Sequence, residues 1–344
     1  MRSLLFVVGF FMIHYLVVAQ AAGDNAVEHM QYLSSQDDAL SKKYMSYMSE
    51  VAHGGRARKM EKRREDLVNS IRETMRECAN VRPFKGDASL RDGYRDYYFV
   101  LLSIFNEDYH KIVDMEEVAE RSYDAMEAYL LTQEKADEKL DEANERLKVS
   151  YSAFAATNNI TLVEGPQSKL TRKLVKVGKV NNYMHQIFLI FFKSNVQEML
   201  MIESIDKKDI NATEQYRNSM LKFSAEGLAR LDTVRTYNGD GSLVTACRKV
   251  LEFQKSEGEN KIAALSDFIL KETEFNKMKK TFDALPASKR TREDVDSYNA
   301  SISSFNNAVA QYNKVNNELN NARNKVMTNW DTTRKRFLDQ HVPH

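Results

Sequence analysis

The scarcity of chain-turning residues narrows the fold more than any other feature. Twelve glycines and four prolines interrupt 344 residues, about 5% of the chain against about 12% in ordinary usage. A β-sandwich, barrel or propeller needs turn residues roughly every 8–12 positions, and this chain cannot supply them. Pro83, Pro166 and Pro286 stand where helices are expected to stop, with Pro343 near the end. Between them, apolar residues recur at helical spacing. Leu67, Val68, Ile71, Met75 and Cys78 form one stripe; Tyr94, Tyr97, Tyr98, Leu101, Leu102 and Phe105 form a second; Leu243, Cys247, Val250 and Leu251 begin a third. Charged residues fill the opposite faces, as in 134–148, which is the pattern of amphipathic bundle helices.

The chain carries an internal repeat. VRPFKGDASLRDGYR at 81–95 aligns without gaps to VRTYNGDGSLVTACR at 234–248, with seven of fifteen positions identical. An offset of 153 residues exceeds any solenoid period and suits a duplicated domain. The shared segment reads as a helix end, a bend at Gly86 or Gly239, and oxygen caps for the next helix. Ser89 followed by Asp92 resembles a capping box. The expected fold is all-α, an elongated bundle of two tandem, internally duplicated four-helix units. The expected helices are 25–52, 56–80, 89–131 and 136–158, then 168–206, 209–233, 242–284 and 291–338. A 40-residue helix is about 60 Å long, hence the expected elongation.

Residues 4–18, LLFVVGFFMIHYLVV, follow Arg2 and precede Ala19, Ala21 and Ala22. A basic start, an apolar core and small residues at the cut make a secretory signal; the run is short of the roughly 20 residues of a spanning helix. The expected organisation is a signal peptide at 1–21, units at 22–163 and 164–340, and a tail at 341–344. No later apolar stretch reaches spanning length. With Arg2 removed, basic and acidic groups balance at 49 each, which gives no global field toward nucleic acid or membrane. The expected address is periplasmic, extracellular or at the cell surface.

The most conspicuous charged feature is RARKMEKRR at 56–64, preceded by His53-Gly54-Gly55. His53, Arg56, Arg58, Lys59, Arg63 and Arg64 are candidates for an anion or partner site at a helix start. The competing reading pairs them with acidic residues inside the bundle, the 106–120 segment offering six carboxylates. Metal chemistry has thin support. His110 lies beside Glu107, Asp108 and Asp114, but the Glu-x-x-His has no second copy as a di-iron bundle requires, and HExxH is absent. Cys78 and Cys247 fall on apolar stripes, where cysteine serves as a small hydrophobe; outside the cytoplasm an even count also admits a Cys78–Cys247 disulfide. Met45, Met48, Met184, Met199, Met201 and Met220 sit at core spacings. Tyr94, Tyr97 and Tyr98 suit a half-wet seam. Phosphate loops, nucleophile elbows and dinucleotide fingerprints are missing, so no cofactor is expected. Three glycosylation sequons begin at Asn159, Asn211 and Asn299, relevant only in a eukaryotic secretory route.

The signal, AHGGRARKMEKRRE at 52–65 and AERSYDAMEAYLLTQEKADEKLDEA at 119–143 resemble a family of signal-peptide-bearing, all-helical bacterial cell-surface or periplasmic proteins. The resemblance covers mainly residues 30–145. It implies an envelope address and a helical body, and it transfers no active-site residues. The sequence therefore points to a non-enzymatic binding or scaffold protein of the cell envelope, with a protein or envelope component as partner. The alternatives are a binder of anionic ligands or acidic glycans through 56–64, and, more remotely, a metal-dependent bundle enzyme.

Overall fold

A computed structural model describes residues 15–18, 24–52, 57–108, 119, 122–164 and 169–343. The protein is all-α. In chain order the elements are β1 (Tyr15–Val18), α1 (Asp24–Ala52), α2 (Ala57–Asn80), α3 (Ser89–Ser103), a π-helical turn (Ile104–Asp108), α4 (Tyr123–Thr157), β2 (Thr161–Glu164), α5 (Lys169–Asp206), α6 (Ile210–Leu231), α7 (Ser242–Asn260), α8 (Ile262–Ala284), a 3₁₀ turn (Ala287–Lys289) and α9 (Arg292–His341). Among the described residues the strands are limited to one antiparallel pair, Tyr15 facing Glu164 and Val18 facing Thr161. The rest of the segment expected to be a signal lies outside the described residues.

Helix ends follow local chemistry. Ser122 caps α4, its hydroxyl accepting from the Ala125 amide, and Asp209 caps α6 through the Ala212 amide. Thr291 and Asp294 cap α9 reciprocally: Thr291 Oγ1 accepts from the Asp294 amide and the Asp294 carboxylate from the Thr291 amide. The expected boundaries differ in three places. The helix expected over 89–131 gives way to the π-helical turn at Ile104–Asp108, and α4 begins separately at Tyr123. The break expected at 132–135 is continuous helix, because Leu131–Ala136 contains no glycine, proline or cap, whereas Ser122 supplies a cap upstream. The helix expected over 242–284 is interrupted at Lys261, whose φ of −119° leaves the helical range.

The repeated segments take the same local form. Phe84 bridges Asp87 and Tyr237 bridges Asp240. Lys85 and Gly86 have φ of 48° and 90°, Asn238 and Gly239 of 50° and 85°, so glycine occupies the left-handed position that a side chain would strain. Asp87 accepts from the Ser89 amide at 2.8 Å, and Asp240 accepts from the Ser242 amide at 2.8 Å. The capping group is therefore the aspartate two residues upstream, and the N-cap Ala88 offers no side-chain bond; the Ser89–Asp92 box is not the device used.

The chain forms two compact units, residues 1–185 with 335–344, and residues 186–334. The division expected at 163/164 is displaced, because a helix start ends a local element and not a packing unit: Leu174, Val177, Val180 and Met184 of α5 are buried side chains of the first. Val342, in the segment expected as a tail, is also buried. In the first unit, Met30, Leu33 and Tyr44 of α1, Leu67 and Ile71 of α2, Leu101 and Phe105, and Phe154 of α4 are core residues. Tyr94, Tyr97 and Tyr98 are buried too, not half-wet; Tyr98 donates to Asp37 at 2.8 Å, and desolvation beside that carboxylate holds its phenol well above the usual range. In the second unit Phe191 meets Trp330 edge-on at 4.6 Å, and Met201, Met220, Ile262, Leu265, Val315 and Leu319 form one cluster. Of the six methionines expected in the core, Met199 is instead 47% exposed.

Candidate partner-binding site

The apolar stripe of α3 turns Leu90, Tyr94, Tyr97, Tyr98 and Leu101 inward. On its flank lies Gly93, where α4 comes close: a Cβ there would sit 2.6 Å from Ser150 Cβ. Only a residue without a side chain permits that approach. Alongside this contact the two helices leave a cavity of about 530 Å³, lined by Gly93, Asp96, Tyr97, Phe99, Val100, Ala143, Arg146, Val149 and Ser150. Phe99 is 64% exposed and Val149 68% exposed. Two large apolar side chains standing beside one groove form a patch of the kind that marks interaction sites. Asp96 and Arg146 place both charge signs on the lining. Each has an outlying partner on its own helix, Arg95 at 3.3 Å and Glu142 at 3.8 Å. The groove thus offers an apolar floor and a mixed-charge rim, and presents no nucleophile–base pair.

The basic strip fares differently. Lys59 binds Glu50 of α1 at 2.6 Å, and Arg63 lies 3.8 Å from the same carboxylate. Arg64 is buried, paired with Glu61 at 2.5 Å and donating to the Phe105 carbonyl at 2.9 Å. That donation takes up a carbonyl within the π-helical turn, where the regular α-helical ladder is broken. Arg58 is exposed; His53 and Arg56 lie outside the described residues. Three of the six candidates are therefore committed inside the first unit, to Glu50, Glu61 and a main-chain carbonyl. The expected acidic partner is represented by Asp108, which accepts from Lys139 of α4 at 2.7 Å; 109–118, with His110 and Asp114, lie outside the described residues. Among the described residues no group of three or more His, Cys, Asp or Glu side chains is placed to hold a metal ion.

The disulfide between Cys78 and Cys247 is not formed. Both thiols are free and buried, each within its own unit. Cys78 donates to the Arg91 carbonyl at 3.4 Å and Cys247 to the Ile187 carbonyl at 3.7 Å. Burial pushes the Cys78 thiol up to about 11 and the Cys247 thiol up to about 12. Both are held protonated, and a thiol kept from its thiolate is a poor nucleophile.

Two features escaped the sequence reading. The first is a buried ionic cluster in the second unit. Arg323 of α9 reaches Glu198 of α5 at 3.1 Å and also pairs with Glu257 of α7, while Gln254 donates to Glu198 at 2.9 Å. Desolvation, then the Glu198 charge and the hydrogen bond shared with it, push the Glu257 carboxyl up to about 9, against the pull of Arg323. Arg323 therefore joins two buried carboxyl groups, of which Glu257 keeps its proton at neutral pH. The second is a row of cations on α5 (Lys169, Arg172, Lys173, Lys176 and Lys179), all exposed. Its signal was in the letters: no acidic residue occurs from 165 to 197. The cations were overlooked because they are spread at helical spacing instead of adjoining one another.

Among the described residues no helix is long and apolar enough to cross a membrane. No family model, no curated protein and no solved structure matches the chain.

Proposed function

We propose that the protein is a non-enzymatic helical binding protein of the cell envelope, which engages an amphipathic segment of a partner protein in the α3–α4 groove. The observation that carries this reading is the exposure of Phe99 and Val149 beside a cavity of about 530 Å³. Aromatic anchors at such a groove dominate binding energetics, and Asp96 and Arg146 on the lining match a segment with one apolar and one charged face. The envelope address rests on the apolar 4–18 run and the small residues at Ala19 and Ala21. Cleavage after either alanine removes strand Tyr15–Val18 and leaves Thr161–Glu164 without its present pairing.

The same reading takes the two halves as copies of one ancestral helical unit. Its support is the matched turn geometry at Phe84–Asp87 and Tyr237–Asp240 and the helix starts at Ala57 and Ile210, which share the 153-residue offset. Anion binding through 56–64 loses ground, since Lys59, Arg63 and Arg64 have carboxylate partners.

The test is recovery of partners from envelope extract by immobilised wild-type protein and by a Phe99→Asp variant. Loss of a buried aromatic anchor costs about 2 kcal/mol or more, so the variant should retain a few per cent of the recovered partner at limiting concentration. Equal recovery by both proteins would remove the groove from the account. Phe99 faces solvent, so the variant should fold as wild type by circular dichroism.

A further inference from the structure

We propose that the exposed face of α5 formed by Lys169, Arg172, Lys176 and Lys179 docks the protein on an anionic phospholipid bilayer. Positions spaced by three, four and three residues share one helix face and span about 15 Å along the axis. All four side chains are exposed, and among the described residues none of the four takes part in an ion pair. Lys173 lies on the same face. This separates the row from the 56–64 strip, whose cations are largely spent on Glu50 and Glu61.

The row is uncompensated within its own helix. The first turn of α5 contains no acidic residue, and cations near a helix N-terminus oppose the macrodipole. Arg172 and Lys176 stand four apart and repel. A sequence that accepts such local conflict without a compensating contact marks a place where something other than folding is served.

The opposite face identifies the kind of contact. Thr171, Leu174, Val177 and Val180 are buried, so these side chains are committed to packing and the stretch presents its charges to headgroups. Three of the four groups are lysines, compact hydrated charges suited to a diffuse anionic field, whereas geometric recognition of single phosphates or carboxylates favours arginine forks. No aromatic residue occurs from 169 to 179, which removes the stacking that single-stranded nucleic acid uses. A cation near an anionic leaflet contributes about fivefold in affinity. The row is independent of the groove, and each can fail without the other.

The test sediments the full chain with vesicles of phosphatidylcholine alone and with vesicles carrying about 30 mol% phosphatidylglycerol, at about 50 mM and about 500 mM NaCl. The neutral vesicles control for any contribution of the apolar residues 4–18. The expected result is binding to anionic vesicles at low salt, at least about tenfold over neutral ones and lost at high salt. A Lys176→Gln/Lys179→Gln variant should bind about 25-fold more weakly, and an Arg58→Gln/Lys59→Gln variant should bind as wild type. The Lys176/Lys179 variant relieves repulsion, so it should melt no lower than wild type and loss of fold cannot explain its weaker binding. Equal sedimentation with neutral vesicles, undiminished binding by the Lys176/Lys179 variant, or capture by soluble dextran sulfate with none by vesicles would overturn the proposal.

Discussion

Replacing Arg323 with methionine is expected to destabilise the second unit by about 3–5 kcal/mol. Glu198 and Glu257 come from helices α5 and α7, and both are buried, at 6% and 1% exposure. Arg323 is the cation that both carboxyl groups share. Without it, two carboxyl groups are left in a poorly hydrated interior with no cation to offset the charge they carry. Gln254 donates to Glu198, but its amide carries no charge. Removing the entire cluster should cost far less than removing the arginine, because a buried ion pair gains little over neutral residues of the same shape. A Glu198→Gln/Glu257→Gln/Arg323→Met variant should therefore recover most of the loss. Urea unfolding followed through Trp330, which is itself buried in this unit, reads both effects. A loss under about 1 kcal/mol for Arg323→Met would mean the cluster is solvated and the account of it wrong.

The same cluster should make stability depend on pH in an unusual direction. The Glu257 carboxyl is pushed up to about 9 from an ordinary 4.5. A group whose pKa rises on folding contributes stability that is fully present below the unfolded value. That contribution declines as pH climbs between the two values and is gone above the folded one. The native state holds a proton that the unfolded chain has released, so alkali favours unfolding. The contribution falls by up to about 1.4 kcal/mol per pH unit inside the window. Glu257→Gln keeps the shape and the neutral charge state, so the variant should match wild type near pH 5 and exceed it near pH 8 by about 1–3 kcal/mol. Parallel stability profiles for the two proteins from pH 5 to 9 would show that Glu257 is ionised in the native state.

The fold was legible because its determinants are local. The glycine and proline positions and the three-four spacing of apolar residues placed most helix ends within a few residues, including the stop before Pro286. Asp87 and Asp240 capped their helices in matching turns. The exceptions are also local. The helix continues through 132–135 because nothing there stops it, and Ser122 went unread as a cap because the residues around it are strongly helical. Lys261 breaks a helix just after Gly258 and Asn260, weak helix formers that lower the propensity there without fixing the stop.

The sites were less legible, because they depend on which distant residues meet. Glu198, Gln254, Glu257 and Arg323 each look like ordinary solvated helix positions, and nothing in their spacing announces that three helices bring them together away from water. The 56–64 strip misled for the converse reason. A contiguous run of like charge attracts attention, yet Glu50 and Glu61 lie within reach and neutralise part of it. Phe99 could have been flagged: it is the large apolar side chain that falls off the Tyr94–Tyr98–Leu101 stripe, and a helix with a dry face elsewhere has no structural use for it.

The most direct measurement of the central claim is photo-crosslinking in cells from benzoylphenylalanine placed at position 99, with position 230 on α6 as control. If the α3–α4 groove holds a partner segment, position 99 should yield a discrete adduct of defined mass that is absent from position 230 and is lost when Val149 is changed to aspartate. No adduct from position 99, or the same adducts from both positions, would contradict a binding role for the groove.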